Sequence, residues 1–256
     1  MLISSLAKKG FFWSFIETIY KRGIHFFLGI ILARLLTPSD YGLIGICSIV
    51  IALGHVFVEG GFGIALIRKK KCSEKDYSTV FIFNLVVSSI FYLLIYFSSP
   101  IIAQFFKNSE LINLIRVLSL VIVFGAFSMI PKTILTKDIN FKSQSKVVGI
   151  SMLISGLLGI ILAYRGFGVW SLVIQALSLS FLSAILYWRA SSWRPKLIFS
   201  KSSFKELFAF GSNLLIVDII NLIYKNSYYI IIGKYFSAAY LGFFTRADTT
   251  VNLITN

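Results

Sequence analysis

Seven hydrophobic stretches, each long enough to cross a bilayer, follow one another along this chain, and the connections between them alternate between rich and poor in Lys and Arg. A hydrocarbon core of about 30 Å takes about 20 apolar helical residues. Lipid offers no partner for backbone N–H and C=O groups, so a crossing segment satisfies its own by folding as a helix. The stretches predict spans over residues 15–36, 41–66, 79–97, 111–130, 147–164, 169–187 and 207–236, with an eighth that begins near Leu241 and is cut short at Asn256. The expected fold class is an all-α membrane protein, a polytopic helical bundle. A composition of 57% hydrophobic residues, with 16% aromatic, is far from that of a soluble domain.

The net charge of +15 raises nucleic acid as a partner, and the placement of the charge excludes it. Sixteen of the 25 Lys and Arg residues fall on one side if the N-terminus is cytoplasmic: Lys8, Lys9, Arg68 to Lys71, Lys75, Lys132, Lys137, Lys142, Lys146, Arg189, Arg194, Lys196, Lys201 and Lys205. Five, Arg34, Lys107, Arg116, Arg165 and Lys234, fall on the other. This is the positive-inside bias, and basic loops suit an anionic cytoplasmic leaflet. The aromatic residues lie in the spans and not between the loop charges, as a nucleic-acid surface would need. Cys47 reads as mid-membrane and Cys72 as cytoplasmic, which disfavours a disulfide. No cleavable leader pattern follows Lys8 and Lys9.

The connections on the outer side are expected to be short, the longest being 98–110, and those on the inner side longer and basic. Residues 191–203, with Trp193-Arg194-Pro195, read as a hinge. An offset of 200 residues lays Ile30-Ile31-Leu32-Ala33-Arg34-Leu35-Leu36-Thr37 over Ile230-Ile231-Ile232-Gly233-Lys234-Tyr235-Phe236-Ser237, and Gly42 over Gly242. The repeat divides the chain into a six-helix lobe, 1–200, and the start of a second, 201–256. Small residues four apart, Ser151, Ser155, Gly159 and Ala163, with Ala176, Ser180 and Ala184, favour close helix packing.

Charges inside the spans are the candidate site. At 100° per residue, Ser14, Glu17, Thr18, Lys21, Arg22, His25 and Gly29 fall in one arc of the first span, opposite a face of Phe and Ile. Intramembrane charge is costly and usually lines a bundle interior or a wet cavity. Glu17 and Lys21 are one turn apart in the favourable order, whereas Arg22 has no acidic partner in this helix. The arc reads either as a cavity wall or as two cations snorkelling to the interface. In the seventh span Asp218, Asn221 and Lys225 share a face, either opposing that of the first span or forming an internal ion-pair network. In the second span His55 and Glu59 are one turn apart, either a structural pair or an ion-coupling site, since His titrates near neutrality. They precede Gly60-Gly61-Phe62-Gly63, which loosens a helix. There is no phosphate-binding loop, no His-Glu-x-x-His and no Cys-x-x-Cys. No enzyme activity and no cofactor are expected.

Several strings, in order, resemble a known family: Leu32-Ala33-Arg34-Leu35-Leu36-Thr37-Pro38 with Asp40-Tyr41-Gly42, then Gly61-Phe62-Gly63 with Ala65-Leu66-Ile67-Arg68-Lys69-Lys70, and Asp76-Tyr77-Ser78-Thr79-Val80-Phe81. Phe141-Lys142, Gly166-Phe167-Gly168-Val169-Trp170-Ser171-Leu172, Arg194-Pro195-Lys196-Leu197, Ile232-Gly233-Lys234 and Leu241-Gly242-Phe243 with Arg246-Ala247 follow. They resemble the Wzx-like polysaccharide flippases of the multidrug/oligosaccharidyl-lipid/polysaccharide (MOP) superfamily. The resemblance implies a two-lobed bundle in the bacterial inner membrane, of which this chain supplies the six-helix N-lobe and the first one or two helices of the second. The implied cargo is an undecaprenyl-pyrophosphate-linked oligosaccharide, with membrane lipids around the bundle and the polymerase and glycosyltransferases of the same pathway as partners. On that reading Lys21, Arg22, His25, Asn221 and Lys225 are candidates to hold the cargo, and Glu17, His55, Glu59 and Asp218 to couple an ion. A drug or cation antiporter of the same superfamily, a membrane-bound polymerase or ligase, and a non-functional remnant are the rival readings.

The charge bias makes a topological prediction. With Cys47 and Cys72 replaced, a cysteine at position 70 should react with an impermeant thiol reagent only after cells are opened, and one at Ser39 in intact cells. Labelling of position 70 from outside would reverse the orientation.

Overall fold

In the computed structural model, residues 22–255 are described, and they form helices joined by short connections with no strand among them. The elements are α1 over residues 22–35, α2 (Pro38–Glu59), α3 (Phe62–Arg68), α4 (Glu74–Phe105), α5 (Leu111–Leu118), α6 (Leu120–Lys137), α7 (Phe141–Tyr164), α8 (Val169–Ala190), α9 (Lys201–Tyr235) and α10 (Ala238–Thr255). Counting α2 with α3 and α5 with α6, six helical segments among the described residues are long and apolar enough to cross a membrane. Part of the first expected span, with Glu17 and Lys21, lies outside the described residues.

Local chemistry sets the helix starts. Thr37 caps α2: its hydroxyl accepts from the Asp40 N–H at 3.3 Å, while the Asp40 carboxylate accepts from the Thr37 N–H at 2.8 Å. Pro38 follows at the first helical position, where a missing N–H costs nothing. Ser73 and Asp76 repeat the device at α4. The expected loosening near Gly60 is a break: Gly60 and Gly61 take φ of 46° and 69°, left-handed values that favour glycine. A Cβ on Gly61 would stand 2.6 Å from the Gly211 carbonyl oxygen, so the break is also where α9 crosses the α2–α3 corner.

Two prolines inside helices expose a constraint peculiar to lipid. Proline cannot donate to the carbonyl four residues back, and a membrane has no water to replace the bond. Pro100 frees the Tyr96 carbonyl, which accepts from the Ser99 hydroxyl at 2.8 Å and the Arg116 Nε at 3.4 Å. Arg116 also lies over the Tyr96 ring, 4.3 Å from its centre. Pro131 frees the Phe127 carbonyl, which accepts from the Trp188 indole N–H at 2.9 Å, tying α8 to α6.

The expected repeat has a structural counterpart in a reciprocal contact between α2 and α10. A Cβ on Gly42 would run into the Ala238 carbonyl, and a Cβ on Gly242 would run into the Pro38 carbonyl. The 200-residue offset exchanges Gly42 with Gly242 and Pro38 with Ala238, which turns one contact into the other, so the two helices cross about a local pseudo-two-fold axis. Small residues also act where expected on α7: Ser151, Ser155, Gly159 and Ala163 are buried, and Gly159 lies against Gln175 of α8.

The connections differ from expectation in length. At the basic end they are 69–73, 138–140 and 191–200, so Lys132, Lys137, Lys142, Lys201 and Lys205 lie in helices and not in loops. At the opposite end α4 runs to Phe105, leaving 106–110 as the connection. Charged residues continue a helix beyond its apolar run because the constraint there is hydration, not backbone geometry. Of residues 191–203, read as a hinge, 191–200 form an extended strap fixed to α4 and 201–203 open α9: the Lys196 N–H donates to the Ser78 hydroxyl at 3.2 Å and the Ser200 N–H to the Thr79 hydroxyl at 2.9 Å.

The proline–tryptophan pairing gives a double-mutant test. Trp188→Phe should cost about 1–3 kcal/mol by leaving the Phe127 carbonyl unpaired. In a Pro131→Ala background, where residue 131 supplies its own N–H, the cost should shrink by about 1 kcal/mol or more. Denaturant unfolding in detergent measures both; equal costs in the two backgrounds would refute the pairing.

Candidate functional site

Two cavities lie along α8. The first, here the α10 cavity, has a volume of about 360 Å³ and lies among α1, α2, α7, α8 and α10. The second, the α6 cavity, has about 570 Å³ and lies among α2, α3, α6, α7, α8 and Asp218 of α9. Ala176 and Leu179 of α8 belong to both walls, so the two are stacked end to end. The α6 cavity sits toward the basic end of the bundle and the α10 cavity toward the Thr37 end.

Close packing of α2 against α10 builds the α10 cavity. Beyond the Gly42–Gly242 crossing, Arg246 lies one turn further along α10. Its guanidinium lies 4.5 Å from the centre of the Tyr41 ring and donates to the Gly29 carbonyl at 3.1 Å. That bond to a mid-helix carbonyl locks α1 to α10. Around Arg246 the wall carries His25, Ser48, Gln175, Thr245, Thr249 and Thr250. A fixed cation, an aromatic face and a ring of hydroxyl and amide groups make a surface suited to a polyhydroxylated, anionic ligand.

The α6 cavity has a different charge. His55 and Glu59 of α2, Lys132 of α6 and Asp218 of α9 all face it, with hydroxyls from Thr133, Ser180 and Ser183. His55 packs against Gly125, where a Cβ would stand 3.0 Å from the imidazole Cε1. Among the described residues no hydrogen bond joins His55 to Glu59; they share a wall. Asp218 is brought to them across α9 and not to Lys225.

The expected residues therefore divide. His25 and Gly29 line the α10 cavity, and His55, Glu59 and Asp218 the α6 cavity. Arg22 is half-buried one turn before His25 and lines neither; Asn221 and Lys225 are exposed on α9 and line neither. Arg246 and Lys132 were not among the expected site residues. Arg246 carries its signal in the family string Arg246-Ala247, and Lys132 was hidden among the loop charges although Pro131 and the apolar run around it are helical.

Other cations are committed to structure. The Lys137 ammonium caps the end of α3, donating to the carbonyls of Leu66, at 2.9 Å, and Lys69, and touching the Cys72 sulfur at 2.8 Å. Cations at a helix C-terminus meet its unpaired carbonyls and the negative end of its dipole. Lys69 pairs with Glu206 at 2.8 Å and Asp76 at 3.2 Å, and the Glu206 carboxylate foremost raises its pKa. Among the described residues no group of three His, Cys, Asp or Glu side chains is arranged to hold a metal ion.

A family model described as polysaccharide biosynthesis protein matches residues 31–256. The teichuronic acid biosynthesis protein TuaB of Bacillus subtilis is 27% identical over 94% of this chain and 50% of its own length. The succinoglycan biosynthesis transport protein ExoT of Rhizobium meliloti is 24% identical over 92% of this chain and 48% of its own length. The lipopolysaccharide biosynthesis protein WzxC of Escherichia coli has the same three values. The chain thus spans about half the length of these curated relatives. A solved MATE-family multidrug resistance transporter of the MOP superfamily, in an inward-facing conformation, superposes with a TM-score of 0.59 at 19% identity, over 91% of this chain and 58% of its own. The chain therefore belongs to the polysaccharide biosynthesis protein family and shares the all-α fold of that MOP-superfamily transporter.

Proposed function

We propose that this chain forms part of a flippase that moves an oligosaccharide linked to undecaprenyl pyrophosphate across the bacterial inner membrane, with the N-terminus in the cytoplasm. The observation that carries the proposal is the pair of polar cavities stacked along α8 inside an otherwise lipid-facing bundle. The names of TuaB, ExoT and WzxC, each tied to a surface polysaccharide, support the class of cargo. Residues 1–200 are read as the N-lobe and 201–256 as the opening of a second lobe, a division supported by the reciprocal Gly42–Ala238 and Gly242–Pro38 contacts. The polymerase and glycosyltransferases of the same pathway are the protein partners this role entails.

Transport of this kind makes and breaks no covalent bond. The side chains replace water around sugar hydroxyls and phosphate oxygens during the crossing. Gln175, Ser48 and the α10 threonines exchange hydrogen bonds with the sugar, Tyr41 offers a face to its C–H surface, and Arg246 neutralises an anionic group. Lys21 and Arg22 stand before His25 on the polar arc of the first span and meet the pyrophosphate as it enters. Asn221 and Lys225, exposed on α9 and outside both cavities, are assigned to the approach of the cargo and not to either wall. His55, Glu59 and Asp218, with Glu17, are the groups that couple an ion to the cycle.

A second reading, a drug or cation antiporter, is favoured by one observation: the α6 cavity holds two carboxylates against one lysine. The two readings part in an export assay. In the source strain, Arg246→Ala should lower surface polysaccharide strongly and Arg246→Lys less. Loss of one charge-assisted contact is worth about 1.5–3 kcal/mol, or about ten- to a hundredfold in affinity. Ala176→Phe, which closes the boundary between the cavities, should block export at normal membrane abundance. Normal export by abundant Arg246→Ala and Ala176→Phe proteins, together with lost drug resistance in Glu59→Gln, would establish the antiporter instead.

A further inference from the structure

The helices that wall the α6 cavity also carry a second, quite different surface. On α8, Ser180, Ser183 and Tyr187 face the cavity, whereas Phe181, Ala184, Ile185 and Trp188 are centred about a third of a turn round the helix, on a neighbouring face. With Phe124 and Phe127 of α6 they form an open groove of about 540 Å³. Phe124 and Phe181 meet edge to face, with centroids 5.3 Å apart. Phe127 and Phe181 are 37% and 48% exposed, so the groove opens laterally, where lipid lies against the bundle.

One end of the groove is charged. Arg189 and Arg194 close it where α8 ends. The Arg194 guanidinium is placed by the backbone: its Nη1 donates to the carbonyls of Ser191 at 2.8 Å and Trp193 at 2.7 Å. It lies 5.6 Å from the centre of the Trp188 ring, and that ring is itself held by its bond to the Phe127 carbonyl. Among the described residues neither arginine forms an ion pair with a carboxylate. The groove thus offers an apolar slot along the membrane and two guanidinium groups at the depth of the interface. That pattern is complementary to a ligand with a hydrocarbon chain at one end and a phosphate at the other.

We propose that this groove is a binding site for an anionic glycerophospholipid, with one acyl chain against Phe124, Phe127 and Phe181 and its phosphate on Arg189 and Arg194. The site shares no lining residue with the α6 cavity of the proposed cargo path, which lies on neighbouring faces of α6 and α8. It does not depend on which way the bundle is oriented.

The test is native mass spectrometry of the full chain in detergent, titrated separately with phosphatidylglycerol, phosphatidylcholine and undecaprenyl phosphate. Wild-type protein should retain phosphatidylglycerol over phosphatidylcholine. Arg189→Gln with Arg194→Gln should weaken phosphatidylglycerol binding about thirtyfold, the value of two basic residues at a membrane surface. Ile185→Trp, which fills the slot and leaves both arginines, should weaken it as well. Lys201→Gln with Lys205→Gln, which removes the same charge from α9, should leave it unchanged. Equal retention by the arginine double variant and by Ile185→Trp would overturn the proposal. So would an equal loss in the α9 lysine variant, which would reduce the effect to net charge. Preferential capture of undecaprenyl phosphate by the same groove would overturn it too, assigning the groove to the cargo's own tail.

Discussion

Contact between α2 and α10 at Gly42 and Gly242 is the constraint from which the α10 cavity follows. Each glycine lies where a Cβ would meet the other helix's first-turn carbonyl, at Ala238 and Pro38. Only backbone fits between the two helices there. Further along, the pair diverges enough to admit larger groups, with Gly45 beside Thr245 and Tyr41 beneath Arg246. A crossing point closed by glycine and opened one turn later by an arginine gives a cavity with one closed end. The polar wall of the cavity exists because the helices cannot separate at that end.

Lipid imposes a second condition, which sorts the polar residues of this chain into two kinds. Backbone groups released by a proline or a helix end must find a partner within the protein. Ser99 and Arg116 serve the carbonyl freed by Pro100, Trp188 the one freed by Pro131, and Lys137 the last carbonyls of α3. These residues are used up in holding the bundle together. His25, Gln175, Lys132, Glu59 and Asp218 instead face a cavity. The arginine and lysine count alone does not separate the kinds; the location of the nearest unpaired carbonyl does.

Much of the fold was legible in the sequence. A run of about 20 apolar residues has few outcomes other than a spanning helix, and the 200-residue offset marks the two helices that meet about a pseudo-two-fold axis. Helix ends at the basic side were not legible, because hydropathy reports the hydrocarbon boundary and not the end of the hydrogen-bonded helix. Lys132 and Lys201 sit in helices for that reason. The site was legible by halves. His25, His55, Glu59 and Asp218 stand out as polar residues in apolar runs, and each faces a cavity. Arg246 does not stand out by hydropathy, because it lies in the largely polar run Thr245-Arg246-Ala247-Asp248-Thr249-Thr250, and its one signal is the family string Arg246-Ala247. Its place in the cavity wall comes from contacts with Gly29 and Tyr41, more than 200 positions earlier.

The central claim is that α2 and α10 cross in direct backbone contact and so create the α10 cavity. It is tested most directly by disulfide trapping between Gly45→Cys and Thr245→Cys in a protein with Cys47 and Cys72 replaced. A Cβ at position 45 would lie 2.7 Å from the Thr245 hydroxyl oxygen, close enough for the two sulfurs to bond. The account predicts rapid, near-complete cross-linking in native membranes under mild oxidation, and none when the second cysteine is moved to Phe243. Absence of the 45–245 cross-link, or equal trapping at both positions, would contradict it.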